Sequence, residues 1–151
     1  MNPTYVLDTT TLLNLIRGKD FGQQIDRAFG LRSAMHRHTI SIVTHGELRV
    51  LAERNTWGQE KRNALAFALA NLVTLNIDSD AIVDAYVRVE EACRTFPAGE
   101  RKMGQNDMWI AATALMTGLP IITTDTDFNH LHGRLITVHW IDPKLRGSVA
   151  P

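Results

Sequence analysis

Short apolar runs rich in β-branched residues alternate with longer segments of helical periodicity along this chain of 151 residues. The strand-like runs cover residues 4–7, 39–43, 73–77, 121–124 and 135–141. Each parallel strand needs a connection that carries the chain back across a face of the sheet, and helices are the usual connection. The alternation therefore predicts an α/β fold with a mainly parallel sheet.

The helical segments in the middle of the chain predict a hairpin and a long amphipathic helix. A helix that begins at Thr44 and a second one over residues 58–72 predict a helical hairpin. A long amphipathic helix begins at Asp78 or Ser79, and its apolar stripe reaches Phe96.

A break in the helical pattern separates that helix from the most apolar one. Proline, glycine and charged residues predict a mobile loop over 97–104, with Arg101 and Lys102 at its tip. The alanine-rich segment 107–117 is apolar on nearly all sides, which predicts a central helix packed against a sheet and other helices.

The composition is that of an ordinary globular protein, with 44% hydrophobic and 21% charged residues. We expect one domain over 1–151, with 142–151 as a surface extension. The longest apolar stretches, such as 108–116, are too short to cross a bilayer, and the start of the chain lacks a signal-peptide pattern. The expected location is therefore the cytoplasm, away from membranes, and the single cysteine, Cys93, is expected in the core.

The formal net charge is zero, which argues against a protein that coats nucleic acid without specificity. One segment is nevertheless basic, because residues 27–62 hold seven basic and three acidic side chains. The sequence His36-Arg37-His38 within it predicts an exposed turn. A modest basic surface is thus expected.

Four acids stand where predicted strands end or predicted helices begin: Asp8, Glu47, Asp107 and Asp125. In an open parallel sheet these element ends meet over one edge, beyond the carboxyl ends of the strands. Carboxylates that converge repel one another unless protons or a cation neutralise them. Their oxygens favour Mg²⁺ or Mn²⁺ over zinc, and hydrolysis of a phosphodiester is the natural use of such an ion.

Each acid also has a purely structural interpretation. Asp8 is typical of a turn or helix-capping residue, and Thr44 with Glu47 fits a capping box. A carboxylate at Asp107 would be favoured by the positive end of the helix dipole. The segment after the fourth strand is harder to explain in this way, because it combines the carboxylates of Asp125 and Asp127 with three threonines.

The order and spacing of four motifs resemble the PIN-domain ribonucleases, most closely the VapC-type toxins of bacterial toxin-antitoxin pairs. The motifs are Val-Leu-Asp-Thr, Thr-His-Gly-Glu-Leu, Gln-Asn-Asp-Met-Trp-Ile-Ala-Ala-Thr-Ala and Ile-Ile-Thr-Thr-Asp-Thr-Asp-Phe. Each motif alone is weak, whereas the ordered set spans residues 5–141.

The resemblance implies a three-layer α/β/α fold with a five-stranded sheet and a homodimer. It implies metal ligation by the four acids, with Thr9 and Thr124 as hydroxyl or water contacts and Asp127 behind the ligands. It also implies RNA cleavage that leaves a 5′-phosphate and a 3′-hydroxyl, and an antitoxin partner that blocks the RNA groove. Arg101 and Lys102, together with Arg37 or Arg54, are candidates for phosphate contacts.

Two phosphoacceptor families fit this sequence less well. A strand-terminal aspartate is also the phosphoacceptor of haloacid-dehalogenase-like phosphatases, but these need a second acid where Thr10 stands. A receiver domain needs its phosphoacceptor after the third strand, where the chain has Asn76-Ile77. Two alternatives stay open: an RNA-processing nuclease without an antitoxin, and a nucleic-acid-binding regulatory module without catalysis. The histidines His36, His38, His45, His130 and His132 receive no role.

Overall fold

Five short parallel strands form the sheet of this protein. A computed structural model describes residues 3–144, so that part of the expected surface extension, 145–151, lies outside the described residues. The strands are β1 (Val6–Leu7), β2 (Thr39–Ser41), β3 (Val73–Leu75), β4 (Ile121–Thr123) and β5 (Val138–Trp140). Their order in the sheet is β3-β2-β1-β4-β5, and all four pairings are parallel.

The helices connect successive strands across the faces of this sheet. They are α1 (Thr9–Arg17), α2 (Asp20–Phe29), α3 (Ile42–Arg54), α4 (Gln59–Asn71), α5 (Asp80–Arg94) and α6 (Gln105–Thr117). Two 3₁₀ helices, Arg32–Arg37 and Thr126–Leu131, precede β2 and follow β4. The chain moves outward from β1 to β3 and then returns to place β4 on the other side of β1. The strand order therefore reverses between β1 and β4.

Two apolar cores lie on the two faces of the sheet. Leu7 and Ile122 point into a core with α1 to α4, whereas Val6 and Ile121 point into a core with α5 and α6. Successive residues of a strand face opposite sides, so strands buried on both faces are apolar throughout. The predicted three-layer α/β/α fold with a parallel five-stranded sheet is confirmed.

The predicted boundary between the second strand and the helix that follows it is wrong. Strand β2 ends at Ser41, whose hydroxyl accepts a hydrogen bond from Val43 N and caps α3. Thr44 is therefore already inside α3, so Thr44 and Glu47 do not form the capping box that would have given Glu47 a purely structural role. The side chains of Thr44 and Glu47 can therefore contact Thr9 of α1.

Three other local predictions also need correction. The segment around His36 is a 3₁₀ helix rather than an exposed turn, and His38 is buried. Helix α5 ends at Arg94, before Phe96, because Thr95 leaves the helical conformation. The last strand begins at Val138, not at residue 135, since a turn with Gly133 at positive φ precedes it. Cys93 is buried as expected.

Within residues 3–144, no helix has both the length and the apolar character needed to span a bilayer.

Candidate active site

The predicted acids gather at the carboxyl edge of the sheet, around the reversal of strand order. Asp8 directly follows β1, and Asp125 stands two residues after β4. Asp107 lies in the first turn of α6, and Glu47 lies in α3, the helix that starts as β2 ends. These placements follow from the topology, because strand C-termini and the helix N-termini that follow them share one edge.

Asp8 is fixed by three hydrogen bonds although it is only 2% exposed. Its Oδ1 accepts from Thr9 N at 2.7 Å, and its Oδ2 accepts from the hydroxyls of Thr10 and Thr123, both at 2.8 Å. Burial raises the pKa of Asp8, and the three donors oppose that rise by stabilising the carboxylate. The side chain is thus held in one orientation at the centre of the sheet edge.

Thr9 joins this edge to Glu47. The Thr9 hydroxyl lies 2.7 Å from Glu47 Oε1 and 3.1 Å from the hydroxyl of Thr44. The resemblance gave Thr9 a hydroxyl role, and the structure shows its partners. Since Thr44 sits one turn before Glu47 in α3, one threonine of α1 orients both side chains.

Backbone amides shape the turn after β4. The Thr123 hydroxyl accepts from Asp125 N at 2.9 Å, and Asp125 Oδ1 accepts from Asp127 N at 3.0 Å. Thr124 contributes through its backbone, because its N–H donates to the Thr10 hydroxyl and its carbonyl accepts from Trp140. Asp125 thereby caps the 3₁₀ helix that carries Asp127.

Three carboxylates approach closely enough to share an ion. One oxygen each from Asp107, Asp125 and Asp127 lies within 4.8 Å of the others, and we call these three residues the acidic group. Asp127, expected behind the ligands, is thus part of the group. Asp8 and Glu47 stand outside it but act on Asp107 through their charge.

Burial and the surrounding negative charge raise the pKa of Asp107. Burial, and then the negative charges of Asp8, Asp125, Glu47 and Asp127, raise the pKa of Asp107 to about 7. A cation among these oxygens would reverse that effect, because it favours the ionised carboxyl.

Two residues of the site had no role in the sequence-based assignment: Thr10 and Thr123, the hydroxyl donors to Asp8. A signal for Thr10 was present, since a threonine two positions after an aspartate can bond back to its side chain. The contact from Thr123 crosses from β4 to β1, and pairing of those strands could not be deduced from local sequence.

The basic candidates divide into two sets. Arg101 and Lys102 are exposed and line a groove that also includes Asp127. Arg37 precedes β2, at the opposite edge of the sheet, and Arg54 ends α3, whose beginning is at the site. Neither Arg37 nor Arg54 is placed to contact a phosphate at the acidic group.

Two of the unassigned histidines on this side of the sheet, His130 and His132, have structural contacts. His130 Nε2 lies 3.2 Å from the sulfur of Cys93, and His132 Nδ1 accepts from Val138 N at 2.9 Å. His45 lies in α3 and lines a cleft between α3 and α4. None of the three belongs to the acidic group.

Comparison with known proteins agrees with this architecture. The PIN domain matches residues 5–133. Ribonuclease VapC5 of Mycobacterium tuberculosis is 35% identical over 131 residues, which are 85% of this chain and 87% of that protein.

Two solved toxin-antitoxin complexes share the fold at more than 25% sequence identity. The VapBC-5 toxin-antitoxin structure from Mycobacterium tuberculosis matches with a TM-score of 0.60 at 27% identity, over 91% of this chain and 97% of the other. A toxin-antitoxin complex from Klebsiella pneumoniae matches with a TM-score of 0.64 at 26% identity, over 91% and 99% of the two chains. The chain therefore belongs to the PIN-domain family, in its VapC group.

Proposed function

We propose that this protein is a metal-dependent endoribonuclease and the toxin of a type II toxin-antitoxin pair. The observation that carries the proposal is the acidic group, Asp107, Asp125 and Asp127, beside the oriented carboxylate of Asp8 at the strand reversal. The similarity to Ribonuclease VapC5 supports RNA as the substrate. We expect the enzyme to act in the cytoplasm, as a single-domain protein.

The donor chemistry of the site fits Mg²⁺ or Mn²⁺. The acidic group offers only carboxylate oxygens, which are hard ligands, while the sulfur of Cys93 is paired with His130 elsewhere. Asp107, Asp125 and Asp127, with Asp8, would hold the ion. When bound, such an ion polarises a phosphoryl oxygen and lowers the pKa of a coordinated water.

The protein's own side chains orient the reactants. The hydroxyls of Thr10 and Thr123 both donate to Asp8 Oδ2 and hold the carboxylate in its orientation beside the acidic group. Thr9 holds Glu47 by Oε1, and Oε2 has no hydrogen bond among the described residues. We assign to Glu47 Oε2 the role of accepting a proton from, or ordering, the attacking water. Arg101 and Lys102 supply positive charge to the RNA backbone.

The nuclease proposal is tested with purified protein and single-stranded RNA. We expect cleavage that needs Mg²⁺ or Mn²⁺, stops in EDTA and leaves 5′-phosphate ends. Asp125→Asn and Glu47→Gln should each lower kcat by about 100-fold or more, whereas Glu60→Gln, a surface change on α4, should not. Cleavage that survives EDTA, or Asp125→Asn with the wild-type rate, would contradict the proposal.

The partner proposal rests on the neighbours that are toxin-antitoxin complexes. We expect a homodimer that binds the small protein encoded beside it, and that loses RNA cleavage in the complex. Expression of the wild-type chain should arrest growth, and co-expression of that neighbour should restore it. If growth is unaffected although the purified protein cuts RNA, the function is that of a processing nuclease. If there is RNA binding without cleavage, the regulatory module is favoured.

A further inference from the structure

A groove opens beside the acidic group, and its role is not explained by metal binding. Its volume is about 590 Å³, and it runs between the loop after α5 and the 3₁₀ helix Thr126–Leu131. Asp127 belongs to both the groove and the acidic group. A substrate strand that reaches the acidic group through this groove would therefore place one nucleotide in it.

Phe96, Arg101 and His130 line the groove and belong to a cluster of rings and cations, with Arg134 behind them. The guanidinium groups of Arg101 and Arg134 each lie 5.0 Å from the ring centroid of Phe96, and the ring of His130 meets Phe96 edge-on at 5.7 Å. Such cation contacts hold positive charge against an aromatic face without neutralising it. Within residues 3–144, Arg101 and Arg134 form no salt bridge.

Backbone and side-chain contacts anchor this cluster to α5. Arg101 N donates to the carbonyl of Cys93 at 2.9 Å, and the Cys93 sulfur lies 3.2 Å from His130 Nε2. Arg101 and His130 are thus both anchored to Cys93 near the end of α5.

The groove also presents polar groups without partners in the protein. Lys102 and Asn129 are exposed, and neither side chain makes a hydrogen bond or salt bridge within the described part of the chain. A lysine can contact a phosphate, and an asparagine can bond to a base edge. Glu100 also lines the groove, so the groove carries both negative and positive charge.

We propose that this groove is a nucleotide subsite for the RNA strand next to the scissile phosphate, an inference that rests on the ribonuclease function above. Arg101 and Lys102 bind the phosphate of that nucleotide, while Asn129 and the ring cluster receive its base. Proteins recognise single-stranded RNA by this combination of charge, stacking and base-edge bonding. The subsite gives the enzyme a preference for one base beside the cut.

The test uses a pool of short random-sequence RNAs, cut by the wild type, by Asn129→Ala and by Asn71→Ala as a matched control on α4. Sequencing of the cut ends reports the base preference at each position. Asn129→Ala should weaken the preference at one position beside the cut by about fivefold or more. Asn71→Ala should reproduce the wild-type profile.

Steady-state kinetics on one preferred RNA test the phosphate contact. Lys102→Ala should raise KM by about five- to tenfold with kcat nearly unchanged, and Lys144→Ala, another exposed lysine, should change neither. If the wild type cuts the pool but Asn129→Ala and Lys102→Ala match their controls, the subsite is wrong and the ribonuclease function stands. If the wild type cuts no RNA, both proposals fall together.

Discussion

The hydroxyl of Thr123 donates a 2.8 Å hydrogen bond to Asp8 Oδ2 and thereby joins the ends of β4 and β1. The Thr123 hydroxyl oxygen also accepts a hydrogen bond from Asp125 N, so one threonine serves two of the acids. Both contacts lie at the reversal of strand order, where parallel sheets bind their ligands.

Replacement of Thr123 by valine should therefore damage the chemistry more than the fold. The change keeps the side-chain shape but leaves Asp8 with one donor fewer and the Asp125 N–H without its acceptor. We expect kcat for RNA cleavage to fall by about tenfold or more, with a stability loss of about 1–3 kcal/mol. Thr113→Val is the control, because Thr113 is equally buried but bonds within α6. Equal rates for the two variants would show that the Thr123 hydroxyl does not position the acids.

Asp107 should make the metal-free protein less stable as the pH rises. Its pKa in the folded protein is about 7, against an ordinary value of 3.8, so the folded state retains a proton that the unfolded state has lost. Stability then decreases between about pH 4 and about pH 7. The decrease is smaller than the limit of about 1.4 kcal/mol per pH unit for one proton, because Asp107 is only half-buried and solvent screens its charge. Thermal melts in EDTA should show this decrease for the wild type and a smaller one for Asp107→Asn.

Mg²⁺ should oppose that decrease by favouring the ionised carboxyl. Its stabilisation of the wild type should be greater near pH 7.5 than near pH 5, because proton and metal compete for the same oxygens. If Mg²⁺ raises Tm equally at the two pH values, Asp107 does not bind the ion.

His38 should add an acid sensitivity of the opposite sign. Its Nδ1 accepts from Tyr5 N at 3.3 Å, and its buried Nε2 has no hydrogen-bond partner among residues 3–144. Burial, and then the charge of His36, lowers the pKa of His38. The unfolded state then binds the proton more readily, so stability is lost as the pH falls below about 6.5. His38→Asn keeps an acceptor for Tyr5 and should show a smaller loss of Tm on acidification. His132→Asn, at an exposed histidine, should retain the wild-type pH dependence.

Two glycines provide a matched test of helix packing. A Cβ at Gly22 would lie 2.1 Å from the carbonyl oxygen of Asn14, so Gly22→Ala must push α2 away from α1. We expect a loss of about 2 kcal/mol or more. Gly46, inside α3, has no atom within 4 Å of such a Cβ, and Gly46→Ala should stabilise by about 0.5–1 kcal/mol. Urea denaturation of both variants measures the difference, and a gain for Gly22→Ala would refute the close approach.

The sequence alone predicts the position of an acidic residue well when that residue stands at the end of a strand. Asp8 and Asp125 were placed correctly because each follows a β-branched apolar run, and strand ends in a parallel sheet share an edge. The start of α3 was predicted too late because Ser41 and Thr44 are both good capping residues. Only the tertiary contact of Thr44 with Thr9 distinguishes them.

Other features depend on packing that no local pattern encodes. His38 is buried in part by Tyr5, which stacks on it and stands just before β1, 33 residues earlier in the chain. Asp127 joins the acidic group because Asp125 caps a 3₁₀ helix, which turns the next carboxylate back toward α6. Threonines are common in strands, and nothing in the sequence marks Thr123 as the one that reaches Asp8.

The pairing of Val6 with Ile121 has a consequence for how the molecule comes into being. The central strand is made first and can pair with β2 early, but it acquires its second neighbour, β4, only after more than a hundred further residues have been added. Contacts so distant along the chain form late in folding. A growing polypeptide that stops before β4 lacks Asp125, Asp127 and the Thr123 hydroxyl, one of the two that bond to Asp8. An incomplete chain on the ribosome therefore lacks part of the acidic group that RNA cleavage would need.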